Sequence, residues 1–257
     1  MARFLVIEEH TPLPTYLAHR IGVYLPARRR DIMVCGAEGQ IEVYHDITTE
    51  RGQQKAVLRL REAEKEGIIS AVIANRNVRQ TITRELTKPL CDGSILSAAL
   101  RLEDILGETD CRTARIMLVG ADSTLGRAVA VYLAKRVRFL SLVGRSETSL
   151  QRLARRLWQT EGIAAVVGTE KADRVITMEE LTAEADCCAE GRRVSSAIAE
   201  CALFARHLPY ERYDHITART LTATAELARA QGISILPKKG AGIGQIRLTN
   251  EPSANII

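Results

Sequence analysis

Six residues, Ala114 to Val119, five of them apolar, run straight into Gly120; Gly126 follows six positions on, ahead of a stretch of helical period from Arg127 to Val137. An apolar run this short, closed by glycine, reads as a strand buried on both faces rather than as a helix. Such strands belong to parallel sheets whose connections are helices. The chain is therefore expected to be α/β, and the alternation of short apolar runs with helical segments on either side of residue 114 agrees.

Ahead of that strand, Phe4 to Ile7 reads as a strand and Pro14 to Tyr24 as a helix. Ile32 to Cys35 and Ile41 to Tyr44 read as strands joined by a turn over Gly36, Ala37, Glu38 and Gly39. An amphipathic helix is expected over Gln53 to Glu66, a buried strand over Ile68 to Ala74, and a helix over Val78 to Leu86 that Lys88 and Pro89 interrupt. Asp92, Gly93 and Ser94 open a further helix to about Ile105, and the polar stretch Gly107 to Arg112 marks the expected domain boundary. Behind the boundary, Phe139 to Val143 is a second strand and Ile163 to Val167 a third, with a basic helix, Ser149 to Gln159, between them. Arg174 to Met178 and Asp186 to Cys188 are short, and nothing resembles the last strands of a full dinucleotide fold. Helices over Ser195 to His207 and Thr217 to Ala230 follow, the latter stopped by Gly232 before a strand-like Ile233 to Leu236. The expected architecture is an N-terminal α/β domain (1–108, substrate side), then a shortened Rossmann-type parallel sheet with C-terminal helices (109–257).

A glycine turn between a buried strand and a helix suits a pyrophosphate, because the helix start offers free backbone amides and glycine leaves room for bulky oxygens. Gly120, Ala121, Asp122, Ser123, Thr124, Leu125, Gly126 and Arg127 are therefore the candidate cofactor-binding loop. Against a G-x-x-G-x-x-G pattern the middle position is Ser123, which can still offer its amide and hydroxyl. The plainer reading is a strand-to-helix turn with glycine needed only for helix–sheet packing. The end of the second strand faces the adenosine ribose, and Gly144, Arg145 and Ser146 put a guanidinium there with no acid before Glu147. A guanidinium pairs with a 2′-phosphate, so NADP is expected over NAD.

Composition narrows the partners. The 36 Lys and Arg stand against 31 Asp and Glu, and aromatics make up 4%, so no basic stretch interleaved with aromatics offers a stacking platform for nucleic acid. No apolar run approaches the length of a membrane span, and two acids close behind the N-terminus argue against export, so a cytoplasmic protein is expected. The six cysteines lack paired spacing, which predicts reduced thiols and no metal site. A small-molecule substrate is expected, and a homo-oligomer stays open.

The stretch Cys91, Asp92, Gly93, Ser94, Ile95, Leu96, Ser97, Ala98, Ala99, Leu100, then a spacer, a strand and Gly120, resembles the N-T-D-G-x-G-F-x-x-A-L to glycine-loop arrangement of shikimate dehydrogenases. Ala197 to Glu200, Tyr210 to Tyr213 and Ala228 to Gly232 are similar to the C-terminal helices of the wider shikimate-dehydrogenase-like NAD(P)-binding superfamily. That group includes the long-chain acyl-carrier-protein reductases and predicted amino-acid dehydrogenases. The resemblance implies an NADP(H)-dependent oxidoreductase acting on a small carbonyl or hydroxyl compound, with Asp92 as the catalytic carboxylate. The N-V-T-x-P-x-K segment that supplies the partner lysine in shikimate dehydrogenases is missing from residues 50–90. The acyl-accepting cysteine of the reductases is replaced by Ala197. These departures keep a second reading open, a catalytically inactive dinucleotide sensor or partner-binding protein on the same fold.

From the residues alone, Asp92 is either a proton-transfer carboxylate or the cap of the helix it precedes. Cys187, Cys188 and Cys201 are either nucleophiles or core packing, and core is the commoner place for cysteine. His207 and His215 flank a loop that could cover a cofactor. Lys238 to Gly244 reads as a turn ahead of a strand over Gln245 to Leu248.

Overall fold

A computed structural model describes residues 3–9, 27–68, 70–86, 88, 90–207 and 216–236. The expected helix at 14–24, the loop at 209–215 and the turn and strand at 238–248 lie outside these residues.

The N-terminal sheet contains β1 (Arg3–Glu9), β2 (Arg28–Val34), β3 (Ala37–Tyr44) and β4 (Ser70–Ile73), in the order β2-β3-β1-β4. β1 runs parallel to β3 and β4, and β2 joins β3 as an antiparallel hairpin. The hairpin turns at Cys35 and Gly36, both in the left-handed region, so Gly39 sits inside β3 and not in the turn expected from the sequence. Gly39 is needed there because the Phe4 ring of β1 lies over it.

Strand side chains alternate between faces, and β1 obeys this strictly. Leu5 and Ile7 enter a core with Val57 and Leu60 of α1 (Glu50–Lys65) and Val78 and Ile82 of α2 (Arg76–Thr83). Phe4 and Val6 face the other way, into a larger core that continues through the rest of the molecule. Both faces of β1 and β4 are covered, which is why those two strands read as apolar runs, whereas the edge strand β2 is mostly exposed.

The second sheet is all parallel: β5 (Arg115–Val119), β6 (Phe139–Val143), β7 (Val166–Val167) and β8 (Arg174–Thr177), in the order β7-β6-β5-β8. Counted from its own first strand the order is 3-2-1-4, the opening of a Rossmann sheet without its last two strands. Before it comes α3 (Ser94–Glu108), and the connections are α4 (Thr124–Ala134) and α5 (Glu147–Glu161). After β8 the chain forms the short α6 (Met178–Thr182), then β9 (Asp186–Ala189) and β10 (Arg192–Ser195). α7 (Ser196–His207), α8 (Ala218–Ala230) and β11 (Ser234–Ile235) follow. β9, β10 and β11 pair as a small antiparallel sheet that the sequence reading broke into pieces.

α3 packs on α6, α7 and α8, and α7 lies on the N-terminal sheet. Ser70 of β4 donates its hydroxyl to the Cys201 carbonyl of α7 at 2.6 Å, and the buried Cys201 thiol donates to the Ser70 oxygen at 3.4 Å. Cys201 is therefore a core residue. Burial pushes the Cys187 thiol up to about 11, so it is protonated at neutral pH. Among the described residues no helix is long and apolar enough to cross a membrane, and no cluster of His, Cys, Asp and Glu is placed to hold a metal.

Candidate functional site

The loop after β5 is built by its own backbone. The amides of Gly120 and Ala121 both donate to the Val143 carbonyl at the end of β6, at 2.8 and 3.1 Å, which holds the two strand ends together. Gly120 has φ +87°, in the left-handed region that glycine adopts without strain. Ser123, the departure from the glycine pattern, is the N-cap of α4. Its hydroxyl accepts from the Gly126 amide at 2.9 Å and donates to the Gly120 carbonyl at 3.0 Å. The helix therefore begins at Thr124, three residues before the start expected from hydrophobic period. Among the described residues, the Thr124 and Leu125 amides in its first turn have no hydrogen-bond partner, as an anion-binding helix start requires.

Gly126 serves a different need from the one expected. A Cβ there would lie 2.2 Å from the Gly120 carbonyl oxygen and 2.7 Å from the Ser123 hydroxyl. The loop backbone packs against Gly126 at this point, so the glycine lets the turn close on the helix start.

Asp122 joins this loop to the next one. Its Oδ2 accepts from the Arg145 and Ser146 amides, at 3.0 and 3.1 Å, and a Cβ at Gly144 would lie 2.3 Å from its Oδ1. The carboxylate thus orients the backbone of Gly144, Arg145 and Ser146, and Gly144 makes room for it. Ser146 then N-caps α5, accepting from the Ser149 amide. The Arg145 side chain is exposed. Arg127 folds back over the loop, donating to the Asp122 carbonyl at 2.9 Å.

Asp92 lies between β4 and α3 and is exposed, with Oδ1 accepting from the Ser94 amide at 2.8 Å. The N-cap itself is Gly93, φ +80°, pressed so closely on Ser196 and Ala197 of α7 that a Cβ would collide. Two more amides at this helix start are taken by Glu200, a residue the sequence reading did not single out. Its Oε1 accepts from the Gly93 amide at 3.2 Å and its Oε2 from the Leu96 amide at 2.8 Å. Full burial, and then the charge of Asp92, push the Glu200 carboxyl up to about 8 against the pull of the backbone N–H groups. One signal was present: a lone acid on the buried face of the otherwise apolar run Ala197 to Ala205.

Asp92 also stands on the wall of a cavity of about 480 Å³, shared with Arg76, Arg79 and Arg84 of α2 and its cap, and with Thr182 and Glu184 at the end of α6. That volume is in the range of small-ligand sites. The cavity opens where β4 ends, since the Arg79 guanidinium donates to the Ile73 carbonyl at 3.1 Å and to Glu184 at 3.3 Å. α6 links it to the glycine loop. Met178 packs on Gly120, and Thr182, one turn on, lines the cavity. Arg101 of α3 fixes α6 by donating to the carbonyls of Glu180 and Leu181. Gly120 follows the end of β5, whose neighbours are β6 and β8, at the point where the strand order reverses and open α/β sheets take their ligands.

Fold and loop together define an α/β protein with a Rossmann-like parallel sheet. No protein-family model matches the chain, and no curated protein matches it. Among solved structures it is similar to one described as a shikimate 5-dehydrogenase-like protein, at 12% identity with a TM-score of 0.29, over 68% of this chain and 65% of that one. The match thus spans just under two thirds of that protein's length, and it is a distant likeness of fold.

Proposed function

We propose that the chain binds NADP(H) at the loop after β5 and is an oxidoreductase acting on a small carbonyl or hydroxyl compound. The substrate side comes from residues 1–108 and the cofactor side from 109–257. One observation carries this reading: two loops meet at the carboxyl edge of the parallel sheet, tied by Asp122, with two helix-start amides unpartnered and Arg145 exposed beside them. The Thr124 and Leu125 amides would hold the pyrophosphate, and Arg145 would take the 2′-phosphate in a charge-assisted pair. The cofactor would supply hydride chemistry. The protein's part is to hold the reacting carbon beside Gly120 and to hold or accept a proton at Asp92, whose Oδ2 has no partner among the described residues.

A second reading, a dinucleotide sensor without turnover, draws on two features of the cavity: Asp92 already accepts the Ser94 amide at the start of α3, and among the described residues no lysine lines the wall around it. Direct titration with NADPH beside steady-state NADPH oxidation over a panel of small carbonyl compounds separates the two. An oxidoreductase binds and turns over at least one of them; binding without turnover across the panel supports the sensor.

A further inference from the structure

α2 and its C-cap carry three arginines, at 76, 79 and 84, and no acid. Their spacings, three and five, do not follow a single row of the helix, yet all three line the same cavity. On an ordinary solvated face such cations are balanced by acids one turn away, and here they line a cavity instead.

The three are not equivalent. Arg79 is only 4% exposed, and its guanidinium is satisfied by the Ile73 carbonyl and by Glu184. Burying that charge is tolerable only because of those partners, and it uses up the one acid α6 and its following residues bring to the wall. Arg76 and Arg84 are exposed, and among the described residues neither side chain has a hydrogen-bond or ion-pair partner. The same lining includes Asp92, with one oxygen engaged by the Ser94 amide. The cavity therefore offers two uncommitted guanidinium groups and one carboxylate with a free oxygen.

We infer that this cavity is an oxyanion site: the substrate carries a carboxylate or phosphate that Arg76 and Arg84 bind, with its reacting carbonyl or hydroxyl toward Asp92. The inference rests on the reading of this cavity as the substrate site. A guanidinium presents parallel N–H donors that match a carboxylate or phosphate edge. The charge of Asp92 repels that group and leaves the two arginines as its place in the cavity. Reach is adequate, since Met178 and Thr182 are four residues apart on α6, about 6 Å along a helix.

The test is calorimetric titration of inorganic phosphate and of succinate, at low salt, into the full chain and into an Arg76→Gln/Arg84→Gln variant, with NADPH titrated into both proteins. Both arginines are exposed, so the variant should melt with the wild type. The expected result is saturable one-to-one binding of at least one anion, weakened tenfold or more in the variant while NADPH affinity is unchanged. The tighter anion shows whether the group is a phosphate or a carboxylate. Absence of saturable binding by either anion overturns the proposal. So does binding equal in the variant, which would put the anion at the loop of residues 120–127. Arginine-dependent anion binding without NADPH binding removes the dinucleotide reading alone; NADPH binding without anion binding removes the oxyanion site alone.

Discussion

Replacing Gly126 by alanine adds one methyl group at the tightest point of the loop. The new Cβ would lie 2.2 Å from the Gly120 carbonyl oxygen, where ordinary contact begins near 3.4 Å, so the loop must retreat by about 1 Å. That oxygen accepts the Ser123 hydroxyl, whose own oxygen caps the Gly126 amide, so the movement disrupts the cap as well. Overpacking of this kind costs roughly 1–3 kcal/mol and a lost N-cap about 1 kcal/mol, offset by about 1 kcal/mol for replacing a helical glycine. The expected net loss is about 1–3 kcal/mol, or roughly 3–10 °C in Tm for a chain of this size. The same displacement moves the Thr124 and Leu125 amides, so NADPH affinity should fall at least tenfold, about 1.4 kcal/mol. Thermal melts and NADPH titration of the variant read both effects. Gly107→Ala is the control: it lies in α3 with nothing near its Cβ, and should leave Tm unchanged or raise it. A Gly126→Ala protein with wild-type Tm and affinity would refute the closed turn and the pyrophosphate site built on it.

Arg145→Glu should weaken NADPH by about 2 kcal/mol and NADH far less, since an exposed guanidinium facing a 2′-phosphate is replaced by a like charge; equal losses in paired titrations would show that Arg145 acts on the fold alone. Asp92→Asn keeps the bond from the Ser94 amide and should melt with the wild type, yet lose on the order of 100-fold in turnover of an identified substrate; normal turnover would leave Asp92 as a cap. Glu200 sets a pH dependence of stability. Its folded value near 8 lies above the usual 4.5, so its contribution is complete below about 4.5 and is lost as pH rises through about 8. Tm should therefore fall between about pH 5 and 8, and a Glu200→Gln variant should show a flatter slope there; parallel slopes would contradict the buried, raised carboxyl.

What could be read from the sequence follows from what is local. The β5 run, the glycine loop and its helix are contiguous, and their hydrophobic period and turn residues signal them without tertiary context. The strands of the N-terminal sheet were legible for the same reason. The boundaries slipped where a side chain decides: Ser123 caps α4 and moves its start to Thr124, and Cys35 takes a left-handed conformation that glycine normally fills. The small β9–β10–β11 sheet was lost because each strand is too short to carry a period. At the site, the residues were named more readily than their roles. Asp122 was placed in the loop, but its bond to the Arg145 amide spans 23 positions. Glu200 reaches Gly93 across 107, and Arg79 of α2 meets Glu184 across 105. Such pairings arise when helices pack, and no single-segment pattern encodes them.

The loop from Gly120 to Arg127, with Arg145, is proposed to bind a phosphorylated dinucleotide. Fluorescence titration of the full chain with NADPH and, separately, with NADH tests it most directly. Saturable one-to-one binding of NADPH, tighter than NADH by tenfold or more, is the expected result. Saturable binding of neither would contradict the cofactor site, and tighter binding of NADH would contradict the role given to Arg145.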